Sequence, residues 1–133
     1  MGIAAAQMLE NALQATPARM EVSVFLGYTA PENLTGAIKS FKPTHVLILD
    51  AADVGRKPGH IQMIDPEALT HNPSGSTHSL PFSVFANYLR SFFSCDVVIL
   101  GIQPVTNEFS EVLSPQVTAA AKKLSVLITE ALS

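Results

Sequence analysis

Two side chains stand out for their type and their setting. Asp50 closes the apolar run Val46-Leu47-Ile48-Leu49, and His78 lies in the polar stretch Ser76-Thr77-His78-Ser79-Leu80-Pro81. A carboxylate at a strand's end and an imidazole on a following loop fall where open α/β sheets build their sites. Together they can ligate a transition metal, and one further oxygen ligand would complete such a site. Asp53, in the run Ala51-Ala52-Asp53-Val54-Gly55, can support a metal ligand from behind. The bland alternative is that Asp50 and Asp53 both cap their loop by accepting backbone N–H bonds, and that His78 is a solvated loop histidine. His71 is the one substitute for His78, since His45 opens a strand and His60 follows a turn.

Several other chemistries lack support. There is no HExxH, CxxC or tight Cys/His spacing for structural zinc, and no GxGxxG or GxxxxGK loop for a nucleotide. No GxSxG elbow marks a serine hydrolase. The formal charge of −3, with Lys and Arg scattered, argues against a nucleic-acid partner. Cys95 is the single cysteine, which excludes an internal disulfide and fits a reducing cytosol. Its neighbours Phe92, Phe93, Val97 and Val98 predict a buried thiol rather than a nucleophile. No apolar run reaches the roughly 18 residues of a membrane span, and no basic region precedes the first apolar stretch. Gly2 is not followed by Ser or Thr at position 6, so myristoylation is not expected. These features predict a soluble cytoplasmic protein with no organic cofactor.

The elements that must position Asp50 and His78 alternate between helix and strand over one domain, residues 1–133. With 47% apolar and 14% charged residues, a well-buried sheet is expected. Gly2 to about Gln14 reads as a helix, apolar on most sides and so well covered. Glu21 to Leu26 alternates as a strand. Thr29, Pro31 and Glu32 form a capping pattern, and Leu34, Ile38 and Phe41 continue that helix's buried stripe until Pro43. Thr44 to Asp50 is nearly continuously apolar, as a strand covered on both faces is. After the Pro58-Gly59 turn, His60 to Ile64 reads as a short strand running back antiparallel. Asp65-Pro66-Glu67 can open one helical turn, and His71 to Ser79 is a loop. A helix from Pro81 carries Phe85, Tyr88, Leu89 and Phe92 at helical spacing. Asp96 to Gly101 is a second buried strand. Pro115 starts the last helix, with Val117, Ala120, Ala121, Leu124 and Ile128 on one face. The predicted architecture is a three-layer α/β sandwich, with a twisted, mostly parallel sheet flanked by helices on both faces. The chain opens on a helix, whereas doubly wound domains usually open on a central strand. A sheet lacking that strand exposes edges, which favours a homodimer.

Six segments, in order, resemble the nickel–iron hydrogenase maturation endopeptidases. They are Thr29-Ala30-Pro31-Glu32-Asn33, Lys42-Pro43-Thr44, Leu47 through Gly55, Lys57-Pro58-Gly59, Thr77-His78-Ser79-Leu80-Pro81 and Leu100-Gly101-Ile102-Gln103-Pro104. The similarity is strongest to the branch serving the formate-hydrogenlyase type of hydrogenase, and it covers essentially the whole chain. It implies a cytoplasmic protease that trims the C-terminal peptide from a hydrogenase large-subunit precursor. In that family cleavage follows nickel insertion, and the metal borne by the substrate is what the enzyme recognises. Of the three family positions that contact nickel, the central-strand Asp matches Asp50 and the loop His matches His78, making these the expected metal-contacting and catalytic residues.

The third, an acidic residue following the family's first strand, has no counterpart, because Gly2-Ile3 matches the family just after it. The first family strand and this acid are therefore expected to precede Met1, through a misassigned start codon or a truncated chain. A naturally shortened, inactive homologue that binds the precursor without cutting it is the alternative. An unrelated Rossmann-like small-molecule binder is a third reading, on fold analogy alone.

Overall fold

A computed structural model describes residues 2–16, 18–26, 34–65, 79–105 and 114–133. Their elements run α1 (Gly2–Ala15), α2 (Thr35–Phe41), β1 (His45–Ala51), β2 (Ile61–Ile64), α3 (Ser79–Phe93), β3 (Asp96–Ile102) and α4 (Pro115–Leu132). The three strands form one sheet in the order β1-β3-β2. β1 lies parallel to β3, with His45 opposite Asp96 and Asp50 opposite Gly101. β2 runs antiparallel to β3, as expected, with Ile61 opposite Ile102. The C-terminal ends of β1 and β3 and the start of β2 therefore meet at one end of the sheet, and Asp50 is there.

The period-two alternation of β1 and β3 sends side chains to two separate cores. On one face Ile48, Val97 and Ile99 pack with Ile38 of α2 and with Ala86 and Leu89 of α3. On the other, Ile102, with Leu49 and Leu100 beside it, packs with Ala5 of α1 and Val117, Ala120, Ala121 and Leu124 of α4. Helices thus cover both faces of a mixed sheet, which is the predicted sandwich. Because buried apolar surface contributes about 25 cal/mol per Å², the two cores jointly hold the central strand β3 in place.

Local signals set the helix ends. Ser114 caps α4, its Oγ accepting from Val117 N–H at 3.2 Å, with Pro115 in the first turn. Lys42 ends α2 in the left-handed region at φ 55° and donates its N–H to Ile38 O at 3.1 Å. α1 buries only one stripe, Ala5 and Leu9, against α4, while Gln7, Glu10 and Asn11 face water. The expectation of a helix covered on most sides is corrected accordingly. Its exit is tied down by Arg19, whose N–H donates to Leu132 O at 2.7 Å and whose Nη2 donates to Ala131 O at 3.4 Å.

Two further expectations are corrected. Glu21–Leu26 does not form a strand: a strand needs a ladder partner for its N–H and C=O groups, and no described strand pairs with it. Phe25 is held by packing instead, its ring edge-on to Phe41 at 6.2 Å. In α3, which starts at Ser79, the buried residues are Ala86 and Leu89, with Phe85 and Phe93 packed alongside, whereas Tyr88 and Phe92 are exposed. Those two stack at 5.9 Å under the Lys39 ammonium, which lies 4.4 Å from the Phe92 ring centre. A cation over stacked rings is a favourable use of exposed aromatics. The caps predicted at Thr29, Pro31 and Glu32, the turn at Pro66-Glu67, and His71 all lie outside the described residues. Among the described residues, no helix is long and apolar enough to cross a membrane.

Candidate functional site

The end of the sheet that carries Asp50 is assembled by one buried side chain, Gln103. It follows β3 directly and is only 7% exposed. Its Oε1 accepts from Val54 N–H at 2.7 Å and from Arg56 N–H at 3.3 Å. Its Nε2 donates to Asp53 Oδ1 and to Pro104 O, each at 3.3 Å. The orientation of the amide follows from its partners, since only an oxygen can accept two backbone N–H groups. The main chain of the same residue bonds the turn before β2: Gln103 N–H donates to His60 O at 2.8 Å and Gly59 N–H donates to Gln103 O at 2.9 Å. Gln103 therefore joins the segment after Asp50, the turn at Lys57–His60 and the end of β3. The strand ladder itself extends one step past β1, with Ala52 N–H donating to Ile102 O at 3.1 Å.

Close backbone approach accompanies this network. A Cβ on Gly101, the residue opposite Asp50, would lie 2.7 Å from Ala52 Cβ and would also collide with Ile64 Cδ1. Gly59 adopts φ +87°, and a Cβ there would meet the backbone oxygen of Gln116 in α4 at 2.7 Å. Both positions thus need glycine, one for space and one for space and conformation.

Asp53 is exposed, and its Oδ1 also accepts from Gly55 N–H at 3.1 Å, an Asx-turn that leads into Gly55 at φ +69°. Asp50 is half-buried at the end of β1. His78 lies outside the described residues; Ser79, the next residue, opens α3. α3 runs back along the sheet from β3. Near its end Arg90 Nη2 donates to Val97 O at 2.9 Å, while the earlier Phe85 and Ala86 share a core with Ile99 and Ile64. Among the described residues, no group of three or more His, Cys, Asp or Glu side chains is placed to hold a metal.

The remaining candidates lie elsewhere. His45 is at the opposite end of the sheet, its Nε2 3.7 Å from Asp96 Oδ2. His60 is exposed. Cys95 is buried, its Sγ 3.5 Å from Leu89 O, and burial pushes its thiol pKa up, as a structural cysteine requires. Gln103 is the residue that the functional reading of the sequence missed. The available signal was a lone amide between Ile102 and Pro104, at the end of a buried strand.

The fold that carries this end of the sheet recurs in solved proteins. The [NiFe] hydrogenase maturation protease HycI of Thermococcus kodakarensis superposes with a TM-score of 0.80 at 29% identity, over 98% of this chain and 83% of that one. The endopeptidase HycI of Escherichia coli superposes with a TM-score of 0.73 at 29% identity, over 97% and 81%. In sequence, the hydrogenase 3 maturation protease of Escherichia coli K12 is 40% identical over 78 residues, 59% of this chain and 49% of that protein. A Methanocaldococcus jannaschii protein, provisionally named a hydrogenase maturation protease, is 38% identical over 96 residues, 72% of this chain and 56% of its own length. The chain thus spans about half the length of the curated relatives it matches. The family description "HycI: Hydrogenase maturation protease" matches residues 3–131. With residues 3–131 matched by that description and the fold shared with solved members, the chain belongs to the hydrogenase maturation protease family.

Proposed function

We propose that this protein is an endopeptidase that removes the C-terminal peptide of a nickel–iron hydrogenase large-subunit precursor, after nickel has been inserted into that precursor. The observation that carries the reading is family membership over residues 3–131, with Asp50 at the C-terminal end of β1. The substrate's nickel is the recognition element. Asp50 and His78 supply an oxygen and a nitrogen donor, a set suited to a borderline divalent metal. Contact with metal already fixed in the precursor orders the scissile segment, so part of the entropic cost of reaction is met by docking. Asp50 then takes a proton from the attacking water, or the substrate's metal that it contacts would polarise the scissile carbonyl. Asp53 supports this arrangement from behind, since its carboxylate is tied to Gln103 and to the Gly55 N–H. A precursor without nickel would fail to dock, which makes metal insertion a checkpoint for cleavage in the cytoplasm.

Processing of purified precursor tests this directly. Asp50→Asn and His78→Ala are each expected to lower the cleavage rate by roughly 100-fold or more while leaving melting within a few degrees. Precursor lacking nickel should resist the wild-type protein. Full cleavage by both variants would sink the assignment of these residues. Binding of nickel-loaded precursor by wild type with no cleavage would sink the protease reading itself.

A further inference from the structure

We infer that Gln103 is a positioning residue for the Asp50 end of the sheet, an inference that rests on the reading of that end as the reaction site. A carboxamide only 7% exposed is costly to desolvate unless its polar atoms are partnered. Those of Gln103 are: both acceptor directions of Oε1 meet N–H groups, and both Nε2 donors meet oxygens.

What those partners share is their place in the chain. Val54, Arg56 and Asp53 all belong to the stretch immediately after Asp50, which among the described residues has no strand partner beyond Ala52. Without the clasp, the Val54 and Arg56 amides would turn to water, and the segment after Asp50 would lose the side-chain bonds that join it to the end of β3. With it, the segment is fixed to the rigid end of β3, which is packed on both faces. A site residue displaced by about 1 Å can cost on the order of 100-fold in rate. Holding the segment that follows Asp50 is therefore a contribution to rate, made through Asp50 rather than by contact with substrate.

The test uses two substitutions in the purified protein. Gln103→Met keeps the length of the side chain and removes every polar contact it makes. Exchange of the Val54 and Arg56 amides should rise roughly 10-fold or more, the loss expected for one or two hydrogen bonds. Amides in the centre of β3 should stay protected. Precursor cleavage should fall about 10–100-fold in kcat with little change in KM. Gln103→Glu keeps an acceptor for the two amides but turns a carboxylate oxygen towards Asp53 and Pro104 O. Protonation restores a donor at that position, so this variant should recover relative to wild type as pH falls through the titration of the introduced carboxyl. The charged and titratable groups around the introduced carboxyl, Asp53, Arg56, His60 and Asp50, are present in both proteins, so wild type at each pH is the reference. Melting followed over the same pH range separates recovery of cleavage in a folded protein from recovery of stability. The pH ratio also carries the test if Gln103→Met does not fold.

Unchanged exchange at Val54 and Arg56 in Gln103→Met overturns the clasp. Raised exchange with normal cleavage overturns the positioning role while the protease reading stands, provided Asp50→Asn is inactive. Normal cleavage in both Gln103→Met and Asp50→Asn overturns the reading of the site on which this inference rests.

Discussion

The two ends of the sheet both join a side chain of β3 or its exit to the neighbouring chain, yet they do so by different physics. At the end where β1 and β3 begin, His45 and Asp96 face each other across the parallel register at 3.7 Å, with side chains 67% and 86% exposed. Water and salt weaken such a pair, and it is worth about 0–1 kcal/mol. At the other end Gln103 carries no charge, is buried, and accepts from two backbone N–H groups, at 2.7 and 3.3 Å, for which no other partner is described. A neutral network in a dry setting constrains geometry more than an exposed ion pair does. The histidine–carboxylate contact that looks most like a site is thus the less constrained of the two, and the end that is built to hold its shape carries Asp50.

The sharpest way to break this comparison is to insert a methyl group where the backbone is closest. Gly59→Ala meets both a left-handed φ and the Gln116 carbonyl, so a stability loss of about 2–4 kcal/mol is expected. Gly101→Ala has no backbone penalty and only the packing conflict with Ala52 and Ile64, for about 1–3 kcal/mol. Chemical denaturation of the two variants checks both the sizes and the order. Near-neutral Gly59→Ala would mean that the turn is not pressed against α4. In Gly101→Ala, the methyl group pushes on Ala52, so cleavage should fall even in the fraction that stays folded.

How much of this was readable in the sequence follows the range of the interactions. β1, β3 and α4 were legible because apolar runs, Pro115 and the stripe Val117, Ala120, Ala121 and Leu124 are local signals. Glu21–Leu26 alternates like a strand, but a strand exists only with a neighbour, and alternation cannot supply one. The stripe on α3 was rotated because Tyr88 and Phe92 are apolar by type. Their place is set by Lys39, which arrives from another helix. The place of Asp50 at the end of β1 was legible from the apolar run it closes. Gln103 was not assigned a role, because its partner Val54 is 49 residues away and contributes only a backbone N–H, which no residue type reveals.

A smaller effect separates the buried thiol from the exposed pair beside it. Cys95 precedes Asp96, and burial raises its pKa above the ordinary value of 9.0. The folded state therefore favours the protonated thiol. Its contribution is complete below pH about 9 and is lost as pH rises through the folded-state pKa. Wild type should lose stability in alkali more steeply than Cys95→Ala, and native Cys95 should resist alkylation at pH 8 until the protein unfolds. Equal alkaline slopes in the two proteins would mean that the thiol is solvated.

The smallest expected effect is the one that defines the first half of the comparison. Asp96→Asn removes the charge facing His45 but keeps a side chain of the same shape, and Asp96 N–H still donates to Thr44 O at 3.1 Å. The ladder is therefore intact, and only an exposed Coulomb interaction is lost. Stability should change by less than about 1 kcal/mol at low salt, and the difference should vanish near 1 M salt, where the screening length is about 3 Å. Precursor cleavage should not change, because this end of the sheet lies a full strand away from Asp50. A salt-independent loss as large as that of Gly59→Ala would show that His45 and Asp96 are part of a locked structure too. The contrast between the ends would then rest on burial alone, and no longer on the kind of bond each uses.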